Sequence, residues 1–268
     1  MREFGVSVLQ RRSGIVLFLA FCTAALSAWS APYVITVQGQ RVEGTAIRAT
    51  SEGEIILTMP QGQRSFFKGQ YLKAVADRPP ELDRAAQLVQ NKQFDEAVKL
   101  LEDVGRRYVY LDWDIQAQAL LPQVYVRKGD MNAAVMSYEK LFTTSAKSKD
   151  DPAIQWAYRQ TLLDAKQYTK LEPLLDTVIA GGDRAEAARA QIMRGDVKAA
   201  QNQLEGAALD YLRTVVLFAN EKASQPEALF KAADTLERLR DARAKELYKK
   251  LVDEYPSSPQ AVQAKGKI

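Results

Sequence analysis

Histidine is absent from the 268 residues, and the one cysteine, Cys22, sits in the apolar N-terminal stretch. Histidine is the usual general base and a common metal ligand; cysteine supplies thiolates. Beyond residue 30 the sequence therefore excludes His/Cys zinc sites, Ser-His-Asp triads, Cys-His dyads and structural disulfides. Carboxylate, lysine, serine and tyrosine chemistry stays open, as do oxygen-ligated metals. Charge of one sign is lacking too. The formal net charge is +4; the first thirty residues hold Arg2, Arg11 and Arg12 against Glu3, leaving 34 basic and 32 acidic residues in the rest. No global field draws such a chain to nucleic acid or to an anionic membrane surface. Neither a phosphate-cradling P-loop nor a dinucleotide fingerprint occurs, so no cofactor is expected.

What is there begins with an address. "MREFGVSVLQRRSGIVLFLAFCTAALSAWSAPY" has a basic start, an apolar run from about Gly14 to Leu26 and a small-residue exit. That is the layout of a secretory signal peptide at residues 1–30. Ala28 and Ser30 stand at −3 and −1, which predicts cleavage after Ser30. The apolar run is short for a spanning helix, so the membrane is met only through the export signal. Cys22 follows the bulky Phe21, unlike a lipid-attachment cysteine, and Arg11-Arg12 lack the hydrophobic followers of a twin-arginine signal. Asn91, Asn132, Asn202 and Asn220 all lack the follower of a glycosylation acceptor. The expected location is the periplasm or cell envelope of a bacterium.

Residues 31–78 read as a small antiparallel β module. "YVITVQ", "RVEGTAIRAT", "EIILTMP" and "RSFFKG" are short runs rich in Val, Ile, Thr and Phe, separated by glycine turns. Tyr33, Ile35 and Val37 alternate with Val34, Thr36 and Gln38, making the first set the more apolar face. "VQGQRVEGTAIRATSEGEIILTMPQG" resembles the SH3-like or Sm-like barrels that precede helical repeats in exported bacterial proteins. A module this small is expected to pack on the helices as a cap on the stack.

"DRPPELDR" breaks the β pattern, and from residue 81 to 260 the sequence is helical, with a tail at 261–268. Ala97, Ala134, Leu171, Ala200 and Ala244 align as anchors. Leu101, Tyr138, Leu175, Leu204 and Tyr248 stand four residues on. Val104, Leu141, Val178, Ala207 and Leu251 stand seven on, completing one helical stripe. Asp241 departs from the apolar residue expected three before. A preceding helix accompanies each anchor helix, with Ala85, Ala188 and Ala232 where the two meet; Pro122 and Arg159 depart there. Anchor spacings are 37, 37, 29 and 44. "KGDMNAA" and "RGDVKAA" are read as equivalent turns, and "ALDYLRTVVLFANEKASQ" as a lengthening of the fourth repeat. Pro122 is expected to kink its helix or shift its boundary, and Pro173 to sit in a first turn.

The helix-turn-helix period, the small residue at the crossing, the aromatics Tyr138 and Tyr248, and the closing proline of "LVDEYPSSP" resemble the tetratricopeptide repeat family. The resemblance implies a mostly α fold: a helical-hairpin solenoid of about five repeats behind the β module. "ELYKKLVDEYPSSPQAVQAKGKI" is similar to repeats of bacterial envelope proteins. The function implied is a non-catalytic scaffold binding another envelope protein or a peptide segment. Repeat register nominates Gln116, Gln123, Arg127, Trp156 and Gln160 as groove residues, with Trp156 open to a core reading.

Other readings compete. Asp112 and Asp114 flank Trp113 and could hold a cation or sugar, against Asp114 as a helix cap. Asp150-Asp151 before Pro152 reads as a solvated turn, and "IAGGDR" as a turn between helices. Tyr108, Tyr110 and Trp113 could bind cell-wall polysaccharide, and the chain could be an accessory domain of an envelope enzyme complex.

Overall fold

A computed structural model describes residues 31–181 and 183–268. The expected export signal at 1–30, with Cys22, lies outside the described residues. The chain divides between Arg78 and Pro79 into two units.

The first unit holds six strands: β1 (Tyr33–Thr36), β2 (Arg41–Glu43), β3 (Ala46–Ala49), β4 (Ile55–Met59), β5 (Gly62–Phe66) and β6 (Tyr71–Val75). They form two antiparallel sheets, ordered β2-β1-β6 and β3-β4-β5. β2 and β3 are consecutive pieces of one bent strand. The Gly44 amide donates to the Pro32 carbonyl at 2.9 Å, and the Thr45 amide donates to the Thr58 carbonyl at 2.7 Å. The chain thus leaves one sheet and enters the other between adjacent residues, as strands do at the corners of small barrels. Gly44 is required there: a Cβ would lie 2.4 Å from the Thr58 carbonyl oxygen. Val34, Ile55, Leu57, Phe66, Ala74 and Ala76 are buried apolar residues.

The more apolar face of β1 is the outer one: Val34 and Thr36 are buried, whereas Tyr33 and Ile35 are half-exposed and Val37 is exposed. Thr36 tolerates burial because its hydroxyl accepts the Gln40 amide at 3.2 Å, and Tyr33 is covered by the Arg41 guanidinium at 3.7 Å. β6 was not among the expected runs. Its sequence, YLKAV, buries only Ala74, too little for a clear period-two signal.

The second unit is α1 (Pro80–Gln90), α2 (Phe94–Arg107), α3 (Trp113–Lys128), α4 (Met131–Thr144), α5 (Ala146–Asp150), α6 (Pro152–Asp164), α7 (Tyr168–Ala180), α8 (Arg184–Ala200), α9 (Leu204–Leu217), α10 (Gln225–Arg238), α11 (Arg243–Glu254) and α12 (Pro259–Ala264). Five pairs are hairpins: α1–α2, α3–α4, α6–α7, α8–α9 and α10–α11. Each turns through one left-handed residue: Lys92, Gly129, Lys166, Asn202 and Arg240. The next residue's amide then reaches back across the helix end, as in Gln93 to Leu88 at 2.8 Å and Gln203 to Lys198 at 2.8 Å. α12 buries Ala261 and Ala264 in a core shared with α10 and α11.

The fourth repeat corrects the sequence register. α8 runs unbroken through "RGDVKAA", so Gly195-Asp196 is no turn; the turn is at Asn202. The equivalent of Ala134 is Ala207, not Ala200. Spacings between Ala97, Ala134, Leu171, Ala207 and Ala244 become 37, 37, 36 and 37. Gly129 is left-handed at φ 88°, whereas Gly195 is helical and its missing side chain admits the Tyr211 ring. Gly195, not Ala188, is therefore the small residue at the fourth crossing. "ALDYLRTVVL" lies in α9, the repeat's second helix, and extends nothing. Pro122 neither ends nor shifts α3; it is buried at the crossing position, where its ring stands in for a methyl group. Pro173 falls in the second turn of α7 rather than the first.

Candidate protein-binding face

The first helices of the hairpins carry the nominated residues. Gln116, Gln123 and Arg127 are spaced seven and four apart on α3, hence on one face; Gln116 and Arg127 are exposed and Gln123 is half-buried. Gln160 is exposed on α6 and donates to Asp164 at 3.0 Å. Trp156 is only 4% exposed, which takes its ring off the surface and supports the core reading. Its indole N–H donates to the Glu186 carboxylate on α8. Two guanidiniums lie over the ring, Arg159 at 4.8 Å and Arg189 at 4.0 Å.

Arg159 is out of pattern. Ala85, Pro122, Gly195 and Ala232 stand at the other four crossings, each twelve residues before an alanine anchor. The third hairpin instead has Arg159 at this position and Leu171 as its anchor, and α6 and α7 pack less closely than the other pairs. A bulky residue on both sides holds the helices apart, because small residues are what permit close approach. The Arg159 Nε is buried and has no hydrogen-bond partner among the described residues. Burial lowers the pKa of both Arg159 and Arg189, with the Glu186 charge opposing; each stays a cation.

Elsewhere on α8 the charges are paired. Asp210 is 0% exposed and accepts from Gln191 at 2.8 Å, Arg194 at 3.2 Å and Arg213 at 2.8 Å, with Lys198 at 2.6 Å. Burial would raise its pKa, but the bonds from Lys198 and Arg194 outweigh it and hold it low. Asp196 binds Lys231 of α10 at 2.7 Å and the Tyr211 hydroxyl at 2.8 Å. There burial wins, and the Asp196 carboxyl is pushed up. These networks brace α8 against α9 and α10. With the Trp156–Glu186 bond they tie α6, α8 and α10 together by side chains.

Comparison with known proteins agrees with this geometry. The sequence model of the tetratricopeptide repeat matches residues 227–258, which span most of α10 and all of α11. MamA from Desulfovibrio magneticus RS-1 aligns over 67% of this chain and 95% of its own, at 18% identity and TM-score 0.50. The TPR-like repeats of a Podosopora anserina structure named for kinesin light chain align over 70% of this chain and 95% of theirs, at 20% identity and TM-score 0.51. The helical unit is a tetratricopeptide-repeat solenoid. No curated protein sequence matches the chain. Solenoids of tetratricopeptide repeats are scaffolds for protein–protein interaction, because stacked hairpins expose an extended run of first-helix side chains.

In this solenoid the competing polar clusters are local structure. α3 begins at Trp113 with Asp112 before it, so Asp114 is not the cap. Asp114 lies in the first turn, and burial raises its pKa against hydrogen bonds from nearby backbone amides. Asp151 caps α6 by accepting the Ala153 amide at 2.8 Å, and Asp183 caps α8 through the Glu186 amide at 3.0 Å. Tyr108 and Trp113 pack against the core of the first hairpin, while Tyr110 is exposed. No cluster of three or more acidic groups that could hold a metal ion occurs among the described residues, and no helix there is long and apolar enough to cross a membrane.

Sequence reasoning missed Glu186 and Arg189. The displaced fourth anchor hid them. With spacings of 37 and 36, Gln116 corresponds to Ala153 and then to Arg189.

Proposed function

We propose that this protein is an exported, non-catalytic scaffold that binds a protein partner in the bacterial cell envelope. The observation that carries the binding role is the row of first-helix side chains, Gln116, Gln123, Arg127, Gln160 and Arg189, repeating in register along the solenoid. Glutamine amides both donate and accept, which suits them to an extended main chain. Export is supported by the signal-like N-terminus and by the strand at Tyr33, which leaves the structured unit intact on cleavage after Ser30.

Site-specific photocrosslinking in envelope fractions tests this reading. A photoreactive residue at Gln116 or Gln160 is expected to trap a discrete partner. The same probe at Met136, which is 70% exposed on the second helix α4, should trap none. Equal trapping at all three places, or none, refutes the face. N-terminal sequencing of the mature protein should begin at Ala31; a retained Met1 refutes cleavage.

A further inference from the structure

Among the cations of the solenoid, the half-buried Arg159 and the more exposed Arg189 beside it are set apart. Arg194, Lys198 and Arg213 share Asp210, and Lys231 is held by Asp196 and Glu227 at 2.6–2.7 Å. Neither Arg159 nor Arg189 makes an ion pair or hydrogen bond among the described residues. Both instead lie over the Trp156 ring. Glu186, the nearest carboxylate by its electrostatic effect on both, is engaged by the Trp156 N–H. Glu227, whose charge also acts on Arg189, is engaged by Lys231 at 2.6 Å, so neither guanidinium has a carboxylate bonded to it. A desolvated guanidinium without an acceptor is costly, and an incoming carboxylate offsets that cost with charge-assisted bonds. The indole floor excludes water from one side, and Arg189 remains exposed enough to meet a ligand.

We infer that Arg159 and Arg189, held over Trp156, form a recognition point for the carboxylate side chain of an aspartate or glutamate in an extended segment of a partner protein. The proposal rests on the scaffold reading and names the chemistry its face selects. A side chain fits better than a chain terminus. The row of first-helix residues continues from the cluster towards Gln123 and Arg127 on α3, so a bound segment runs on past it rather than ending there. Gln160, one residue from Arg159, offers its amide to the main chain beside the acid.

The test uses the mature chain carrying Trp113→Phe. Of the three tryptophans, Trp29 lies in the expected signal, so Trp156 becomes the single indole reporter. Four pools of short peptides with randomised flanks are titrated: central Glu, central Gln, a free C-terminal carboxylate without acidic side chains, and its amide. The central-Glu pool is expected to bind about tenfold more tightly than the central-Gln pool, with a change in Trp156 fluorescence and weakening by salt. Arg189→Gln should erase that preference while the far-ultraviolet dichroism and melting curve stay unchanged. Arg159→Gln should do the same, and Arg189, being exposed, keeps the test valid if the Arg159 variant fails to fold. Equal binding of the Glu and Gln pools overturns the acid recognition and leaves the scaffold reading standing. Preference for the free terminal carboxylate alone overturns the side-chain assignment. Binding of no pool overturns both.

Discussion

Replacing Gly195 with alanine sets two effects against each other. Helix propensity favours alanine over glycine inside a helix by about 1 kcal/mol. Packing opposes it. The new Cβ would lie 2.4 Å from Tyr211 Cε1, 2.7 Å from Cδ1 and 2.9 Å from Cζ, all atoms of one rigid ring. That ring is buried, and its hydroxyl is anchored on Asp196 at 2.8 Å. Overpacking a core by a methyl group costs about 1–3 kcal/mol, and a ring that cannot swing aside places this site at the upper end. Losing the Tyr211–Asp196 bond adds about 1 kcal/mol. Subtracting the propensity gain leaves a net loss of about 3 kcal/mol. Urea unfolding measures it, with hydrogen exchange of α8 and α9 amides as a local readout, since repeat arrays do not always unfold as one unit. Tyr211→Leu in the same chain should recover part of the loss, a coupling of about 1 kcal/mol or more. A Gly195→Ala protein as stable as its parent refutes the crossing role assigned to this glycine.

Three further outcomes are expected. Asp210→Ala strands Arg194, Lys198 and Arg213 and should cost roughly 2 kcal/mol, less than breaking a fully buried pair because those heads keep part of their hydration. The Asp210 pKa is lowered on folding, so its contribution is complete above the unfolded carboxylate range and is lost as pH falls through the folded value. Acid titration of the variant should therefore show a shallower loss of stability below about pH 4 than the parent; an identical profile refutes the assignment. Gly44→Ala drives a methyl group against the Thr58 carbonyl and Leu57 and should abolish exchange protection across residues 33–75 while α1 to α12 keep theirs, and retained protection refutes the corner. Arg159→Ala places a small residue at the third crossing and should raise stability by up to about 1 kcal/mol, with slower exchange in α6 and α7, because it removes an unpartnered desolvated charge; a loss of several kcal/mol would make Arg159 a structural residue.

The repeat class was legible because three of the five anchors, Ala97, Ala134 and Ala244, stand in clean stripes with large apolar residues four and seven on. The period was obscured by a local likeness. "RGDVKAA" copies the composition of "KGDMNAA", but composition does not say whether a glycine is there for its backbone or for its missing side chain. Only the partner decides, and the partner of Gly195 is Tyr211, sixteen residues away. The real turn, at Asn202, carries no glycine at all. The same slip hid Arg189, since it removed the register linking that residue to Gln116. β6 escaped because one buried residue makes no period, and the alternation in β1 does not say which face is buried, because Thr36 is buried through a local hydrogen bond that hydrophobicity does not record.

The crossing position also shows where a departure from pattern carries meaning. Pro122 departs without ending its helix: it is apolar, of moderate size, and buried where a methyl group would be. Arg159 departs with three consequences that share one cause. Its bulk separates α6 from α7, its guanidinium is desolvated without an acceptor, and its stem brings the charge onto the Trp156 ring. A sequence optimised for stability alone would place alanine there, as three of the other crossings use Ala or Gly. A residue that weakens its own hairpin and holds a cation ready for an absent partner is arranged for binding, the trade of stability for function expected at working sites. Arg159→Ala therefore separates the two roles within one protein: the hairpin should tighten while the preference for an acidic segment disappears. Both measurements moving in the same direction would remove the reason for reading this arginine as a contact.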